Sequence, residues 1–229
     1  MISINKVVAG YGKQHVLNEL SINLESGLIH GLVGLNGSGK STLLRCICSL
    51  MKPISGTILL DEVTVSKRNI SLLETEPYFY SGITGREYLW LFKSKAESKF
   101  DATAWQELFN IPLDKLIDNY STGMKKKLAI LGMLKTNNQV LLFDEPFNGL
   151  DIESSRIFSS VLKKLIASDK TIIITSHVLE SLTAICDKIH YLKDGVINQT
   201  FDSMNAELID KALFHELDLQ VAKSINQLL

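Results

Sequence analysis

Cysteine is scarce in these 229 residues: Cys46, Cys48 and Cys186 are odd in number and include no C-x-x-C pair. That excludes a disulfide framework and offers no zinc-ligand pattern, so buried free thiols are expected. An excess of either charge is lacking too. The 24 basic residues nearly balance the 25 acidic ones, which argues against nucleic acid as the main partner. Lys125-Lys126-Lys127 is read as the solvated face of a helix. No apolar stretch reaches the roughly 20 residues needed to span a bilayer. A signal-peptide pattern is missing from the amino terminus, and a cytoplasmic location is therefore expected. Repeats and low-complexity tracts are absent. The length suits one large α/β domain, or a domain with a subdomain, around a substantial core.

The most informative stretch that is present is Gly34-Leu35-Asn36-Gly37-Ser38-Gly39-Lys40-Ser41-Thr42. It matches G-x-x-x-x-G-K-[ST], follows the apolar run Leu28 to Val33 and precedes Lys40 to Leu50, which holds no Gly or Pro. Strand, glycine-rich turn and helix in that order form a phosphate-binding loop. The glycines let backbone N–H groups turn inward around a triphosphate, Lys40 brings a positive charge to the β- and γ-phosphates, and Ser41 offers a hydroxyl to Mg²⁺.

Strand-like runs occur at Ile2 to Val8, Leu28 to Val33, Val140 to Phe143 and Thr171 to Thr175. The last three are read as buried on both faces, as in a parallel sheet. Asp101, Ser121 and Asp151 are placed to cap helices running to about Phe109, Lys135 and Leu165. Lys193-Asp194-Gly195 separates two short apolar runs and predicts a hairpin with a tight turn. Between Tyr78 and Leu134 helix candidates dominate, which suggests a helical insertion in an α/β core. From Phe201 the chain reads as a helical tail.

Val140-Leu141-Leu142-Phe143-Asp144-Glu145 is an apolar strand ending in two carboxylates. Beside a phosphate-binding loop, the first acid completes a magnesium site and the second is placed to polarise an attacking water.

Together these motifs resemble the nucleotide-binding subunit of an ABC transporter, over roughly Ile2 to Thr200. The resemblance implies further roles. Tyr11, by pattern alone an ordinary turn tyrosine, takes the place of the aromatic that stacks on adenine, with Val16 beside it. Asn148-Gly149-Leu150-Asp151 resembles the loop through which two subunits touch. His177 matches the histidine that contacts the γ-phosphate and the catalytic carboxylate Glu145. Tyr120-Ser121-Thr122-Gly123-Met124-Lys125 stands where the family carries Leu-Ser-Gly-Gly-Gln; Ser121 and Gly123 remain, while Tyr120, Thr122 and Met124 depart from it. This form is similar to that of ABC-2-type and bacteriocin-related exporter subunits. A serine at a helix N-terminus suits phosphate, although it would serve as a helix cap in any protein.

At the family's glutamine loop, Ile70 to Pro77 puts Thr75 where glutamine is expected, between Glu74 and Glu76. Either Thr75, through a water, or Glu76 reaches magnesium. Tyr78, Phe79, Tyr80, Tyr88 and Trp90 follow, as a mixture of core packing and a groove for a helix of the membrane subunit.

The resemblance, outside which lies the helical tail over 201–229, implies an α/β P-loop NTPase fold of the ABC type: a domain over 1–200, an antiparallel β part and a helical subdomain over about 78–134. It also implies ATP and Mg²⁺ as cofactors, with Ser41, Asp144 and Thr75 on the metal. Two copies, identical or sister subunits, would close head to tail, with ATP between the loop of one and Ser121, Thr122 and Gly123 of the other. The expected function is ATP hydrolysis on the cytoplasmic face of a membrane, powering export through a separate permease subunit. Two alternatives are a soluble ABC-type ATPase without a transport partner and a hydrolysis-poor regulatory half of a heterodimer.

Overall fold

The structure is a computed structural model, and it describes residues 1–64, 69–93 and 100–202. The expected helical tail falls outside these from residue 203 onward. The chain begins with β1 (Ile2–Tyr11) and β2 (Gln14–Leu24), then β3 (Ile29–Val33) and α1 (Lys40–Ile47), β4 (Ser55–Leu60), β5 (Val63–Thr64) and β6 (Ile70–Leu73). Helical elements follow: α2 (Gly85–Trp90), α3 (Ala102–Phe109), a 3₁₀ turn (Ile117–Asn119) and α4 (Thr122–Thr136). The remaining elements are β7 (Val140–Asp144), α5 (Ile152–Ile166), β8 (Thr171–Ser176), α6 (Leu179–Thr183), β9 (Lys188–Lys193) and β10 (Val196–Asp202). This is the α/β architecture that the sequence implies, with helices between β6 and β7.

Two sheets form. One is antiparallel in the order β2-β1-β4-β5; the other runs β10-β9-β3-β8-β7-β6. In the second, β6, β7, β8, β3 and β9 pair in parallel, and β10 returns antiparallel to β9. Every residue of β3, β7 and β8 is buried, as the apolar residues that dominate them favour. Alternation along β7 sends Leu141 and Phe143 into the cluster that packs under α2 to α6, and Val140 and Leu142 into the cluster shared with α1 and the antiparallel sheet. The site-bearing strand ends are thus held from both sides. The three cysteines are buried and form no disulfide among the described residues.

The helix starts agree with the expected caps. Asp101 Oδ1 accepts from the Thr103 and Ala104 amides, Ser121 Oγ from Met124 N at 3.2 Å and Asp151 Oδ1 from Ser154 N at 2.7 Å. At the β9–β10 hairpin Asp194 and Gly195 both take positive φ, 52° and 77°, the pair that matches strand twist in a two-residue turn. β10 continues to Asp202, its end set by pairing with Lys188 to His190.

One expectation is overturned. Lys126 and Lys127 are 3% and 9% exposed, so the lysine run is not a solvated face. α4 lies between the sheet edge and the loop after β7, and so buries residues on more than one face. Lys126 Nζ donates to the Thr75 carbonyl at 3.0 Å, and Lys127 Nζ pairs with Asp151 at 3.1 Å. Among the described residues no helix is long and apolar enough to cross a membrane.

Candidate nucleotide site

At the carboxyl ends of β3, β7 and β8 lies a cleft of ≈ 570 Å³. That is where open parallel sheets bind ligands. Its lining joins Tyr11 and Val16 from the antiparallel sheet, Asn36, Gly37 and Gly39 to Thr42 from the loop and α1, Thr75, the pair Asp144 and Glu145, and Asn148 and His177. Residues spread over more than 160 positions of chain therefore converge as the sequence reading requires.

The loop is built for an anion. Gly37 and Gly39 have φ of 82° and 110°, conformations that a side chain would strain, and these turns present the amides before α1. Lys40 opens α1, is 6% exposed, and its Nζ donates to the Gly34 carbonyl at 2.7 Å and to Leu35 O at 3.3 Å. Burial holds its ammonium below the usual lysine range, while Glu145 and Asp144 act in the opposite direction. Ser38 Oγ is buried and has no hydrogen-bond partner among the described residues. A buried cation and an orphaned hydroxyl at a helix N-terminus fit a phosphate chain. Gly34, Leu35 and Ser38 do not line the cleft itself; Leu35 and Ser38 line a neighbouring pocket, and Gly34 is buried.

Opposite the loop, Thr175 orders the acids. Its hydroxyl donates to Asp144 Oδ1 at 2.6 Å and accepts from the Glu145 amide at 2.9 Å. Glu145 takes a φ of 49°, and its Oε2 lies 3.0 Å from His177 Nδ1. A buried carboxylate beside the Ser41 hydroxyl is a donor set that fits magnesium, which is held by one or two carboxylates together with substrate phosphates and water.

At the base end, Tyr11 is 49% exposed and presents its ring to the cleft. Its hydroxyl accepts from Arg45 Nη1 at 3.2 Å, and Arg45 Nε donates to Glu74 Oε1 at 2.9 Å. The glycine-loop helix is thereby tied to the segment ahead of Thr75. Thr75 is exposed at the cleft wall.

Ser121, Thr122 and Gly123 do not reach this cleft. They form the start of α4 and stand against the loop after β7, where a side chain at Gly123 would meet the Gly149 carbonyl. The departure at Tyr120 has a physical reason: the ring is 6% exposed and its hydroxyl donates to Pro112 O at 2.6 Å, so a larger residue than leucine is packed and satisfied.

Thr175, Arg45 and Lys126 were not assigned site roles by sequence reasoning, and Asn148 was read only as part of the loop between subunits, not as lining the cleft. A signal existed for Thr175, a hydroxyl closing the apolar run Ile172 to Ile174. For Lys126 the signal pointed the wrong way.

Comparison with known proteins agrees with the geometry. Residues 17–148 match the family model described as ABC transporter. The chain is 31% identical over 233 residues to the ABC transporter ATP-binding protein YtrB of Bacillus subtilis, covering 97% of this chain and 80% of that protein. It is 34% identical over 208 residues to the bacitracin transport ATP-binding protein BcrA of Enterococcus faecalis, covering 85% and 67%. A dimeric ATP-binding cassette solved with ADP and Pi shares the fold, with a TM-score of 0.78, 23% identity, and coverage of 89% of this chain and 99% of that one. The chain belongs to the ABC transporter family and carries its ATP-binding ATPase domain.

Proposed function

We propose that this chain is the ATP-hydrolysing subunit of an exporter, driving a separate membrane-spanning permease from the cytoplasmic face of the membrane. The observation that carries the proposal is the meeting, in one cleft, of the phosphate loop with Asp144, Glu145 and His177. ATP lies with its base against Tyr11 and Val16 and its phosphates on residues 34–42. Lys40 and the loop amides neutralise phosphate oxygens, and Ser41, Asp144 and Thr75 hold Mg²⁺, which supplies further charge neutralisation. Glu145 polarises the water that attacks the γ-phosphate and accepts its proton. His177 orients Glu145 through the 3.0 Å contact and faces the γ-phosphate.

The place of the signature supports a head-to-tail dimer. Ser121 to Gly123 lie outside the cleft of their own chain, so they serve the ATP held by a second copy or a sister subunit. The free N–H groups of α4 suit a phosphate there. The domain is assigned to 1–200, with its helical subdomain over about 78–134. Tyr78, Pro77, Tyr88 and Phe92 line a groove of ≈ 230 Å³ beside that subdomain. Tyr78 is 75% exposed and Tyr88 only 6%, so the aromatics divide between surface and core. A permease helix in this groove covers the exposed ring. Export is supported by the likeness of Tyr120 to Lys125 to exporter signatures.

Affinity purification of the chain from solubilised membranes of its native cell, with an assay of Mg²⁺-dependent ATP hydrolysis, tests the proposal. A multispanning partner in an ATP-hydrolysing eluate is expected. Hydrolysis with no membrane partner would overturn the transporter reading in favour of a soluble ATPase.

A further inference from the structure

Lys126 is a buried ammonium for which the hydrolytic steps above have no use. It lies five residues beyond Ser121 on the same helix and is 3% exposed. Its Nζ donates to the backbone carbonyl of Thr75 at 3.0 Å, across 51 residues of chain. No carboxylate pairs with it among the described residues. A lysine buried on a single neutral acceptor is a poor device for stability alone. Its surroundings give it another use. Thr75 leaves β6 into the cleft wall, and the adjacent strand β7 ends in Asp144 and Glu145. Both carboxylates exert their field on the Lys126 ammonium.

Thr75 itself has a short side chain on an exposed loop, and no hydrogen bond fixes its hydroxyl among the described residues. What fixes the loop is its backbone, held from one side by Lys126. On the other, Glu74 pairs with Arg45 at 2.8 Å. The Arg45–Glu74 pair is half-exposed and therefore weak, whereas the Lys126 ammonium is buried and its contact with the Thr75 carbonyl part-buried. The Lys126 contact is the less solvent-exposed of the two.

We propose that Lys126 is a positioning residue of the ATPase site, its ammonium clamping the Thr75 carbonyl to α4 and so setting Thr75 and Glu76 against Asp144 and Glu145. The proposal rests on the ATPase reading above. Because Ser121 caps the same helix, the clamp also joins the loop beside one nucleotide to the phosphate contact offered to the other.

The test compares Lys126→Met, which keeps length and loses charge, with Lys126→Arg, in the full chain. Lys126→Met should lower kcat by about 10- to 100-fold and leave KM for ATP within about threefold, the pattern of lost positioning rather than lost binding. Lys126→Arg should recover most of the loss. Independently of activity, amide hydrogen exchange over residues 74–77 of the nucleotide-free chain should quicken about tenfold in Lys126→Met, with exchange in β7 and β8 unchanged. A folded Lys126→Met with wild-type exchange over 74–77 and wild-type kcat would overturn the proposal. Should Lys126→Met misfold, Lys126→Leu is judged by the same exchange readout. A wild-type chain that neither binds nor hydrolyses ATP would instead remove the ATPase reading, and the exchange comparison would still decide whether Lys126 holds the loop.

Discussion

The Thr175 hydroxyl donates to Asp144 Oδ1 at 2.6 Å while accepting the amide proton of Glu145, so one buried oxygen orders both acids at the end of β7. Thr175→Val keeps the shape and leaves two buried polar groups unpaired, a loss of about 1–3 kcal/mol in stability. ATP hydrolysis should fall about tenfold or more, because both carboxylates lose their set position. Urea denaturation and steady-state hydrolysis measure the two effects. Unchanged kcat would deny Thr175 any part in positioning.

Glu145→Gln should retain ATP binding, lengthen the life of the closed dimer and lower turnover by about 10²- to 10⁴-fold, the range for a general base. Size-exclusion chromatography with ATP and a phosphate-release assay read these outcomes. Near-normal hydrolysis would remove Glu145 from this role.

Lys40 acts on binding itself. Lys40→Ala removes charge-assisted hydrogen bonds worth about 1.5–3 kcal/mol, or roughly 10- to 100-fold in ATP affinity. An unchanged nucleotide titration would contradict the phosphate-loop assignment.

At the base end, Tyr11→Ala should weaken ATP binding by about 1–3 kcal/mol, the worth of base–aromatic stacking. Tyr11→Phe keeps the ring and loses only the bond from Arg45. Equal affinities for the alanine variant and the wild type would show that the ring does not hold adenine.

A buried histidine pair sets a pH dependence. His30 Nε2–H donates to the Glu25 carbonyl at 2.9 Å, so His30 Nδ1 is bare and accepts from His190 Nε2–H at 3.0 Å; His190 Nδ1 then accepts from the Thr200 hydroxyl. A further proton on His30 sets two N–H groups face to face; on His190 it meets the Thr200 hydroxyl. Burial, with His30 and Lys188 adding repulsion, pushes His190 down to about 3, and burial also lowers His30. Proton uptake therefore favours the unfolded chain. The pair's stability is intact above the ordinary histidine value of about 6.5 and is lost as pH falls from there toward 3, by about 1.4 kcal/mol per pH unit for each such group. Denaturation midpoints measured between pH 7.5 and 4.5 should fall more steeply for the wild type than for His190→Gln. Parallel curves would refute the account.

Much of the architecture is legible in local chemistry. The strands β3, β7 and β8 announce themselves as mostly apolar runs because both their faces are buried. Asp101, Ser121 and Asp151 mark helix starts because a short side chain before an apolar periodicity has few other uses. β2 is less legible. Exposed residues such as Glu19 and Asn23 interrupt its apolar positions, since only one face of the antiparallel sheet is covered. The lysine run misled because a charge pattern says nothing about what packs over it.

The sequence by itself determined the phosphate loop, the acid pair and the order of motifs, because each depends on neighbours within a few residues, where backbone geometry is set by glycine, charge and apolar run. Only the tertiary structure decided that Thr175 orders Asp144 and Glu145, that Lys126 turns inward to Thr75, and that Ser121 stands away from its own chain's cleft. These depend on which strands lie side by side and on how α4 is laid against the sheet. Parallel pairing of β7 with β8 joins positions 31 residues apart, and the Lys126 contact spans 51. Contacts of that reach are selected by packing of the whole core.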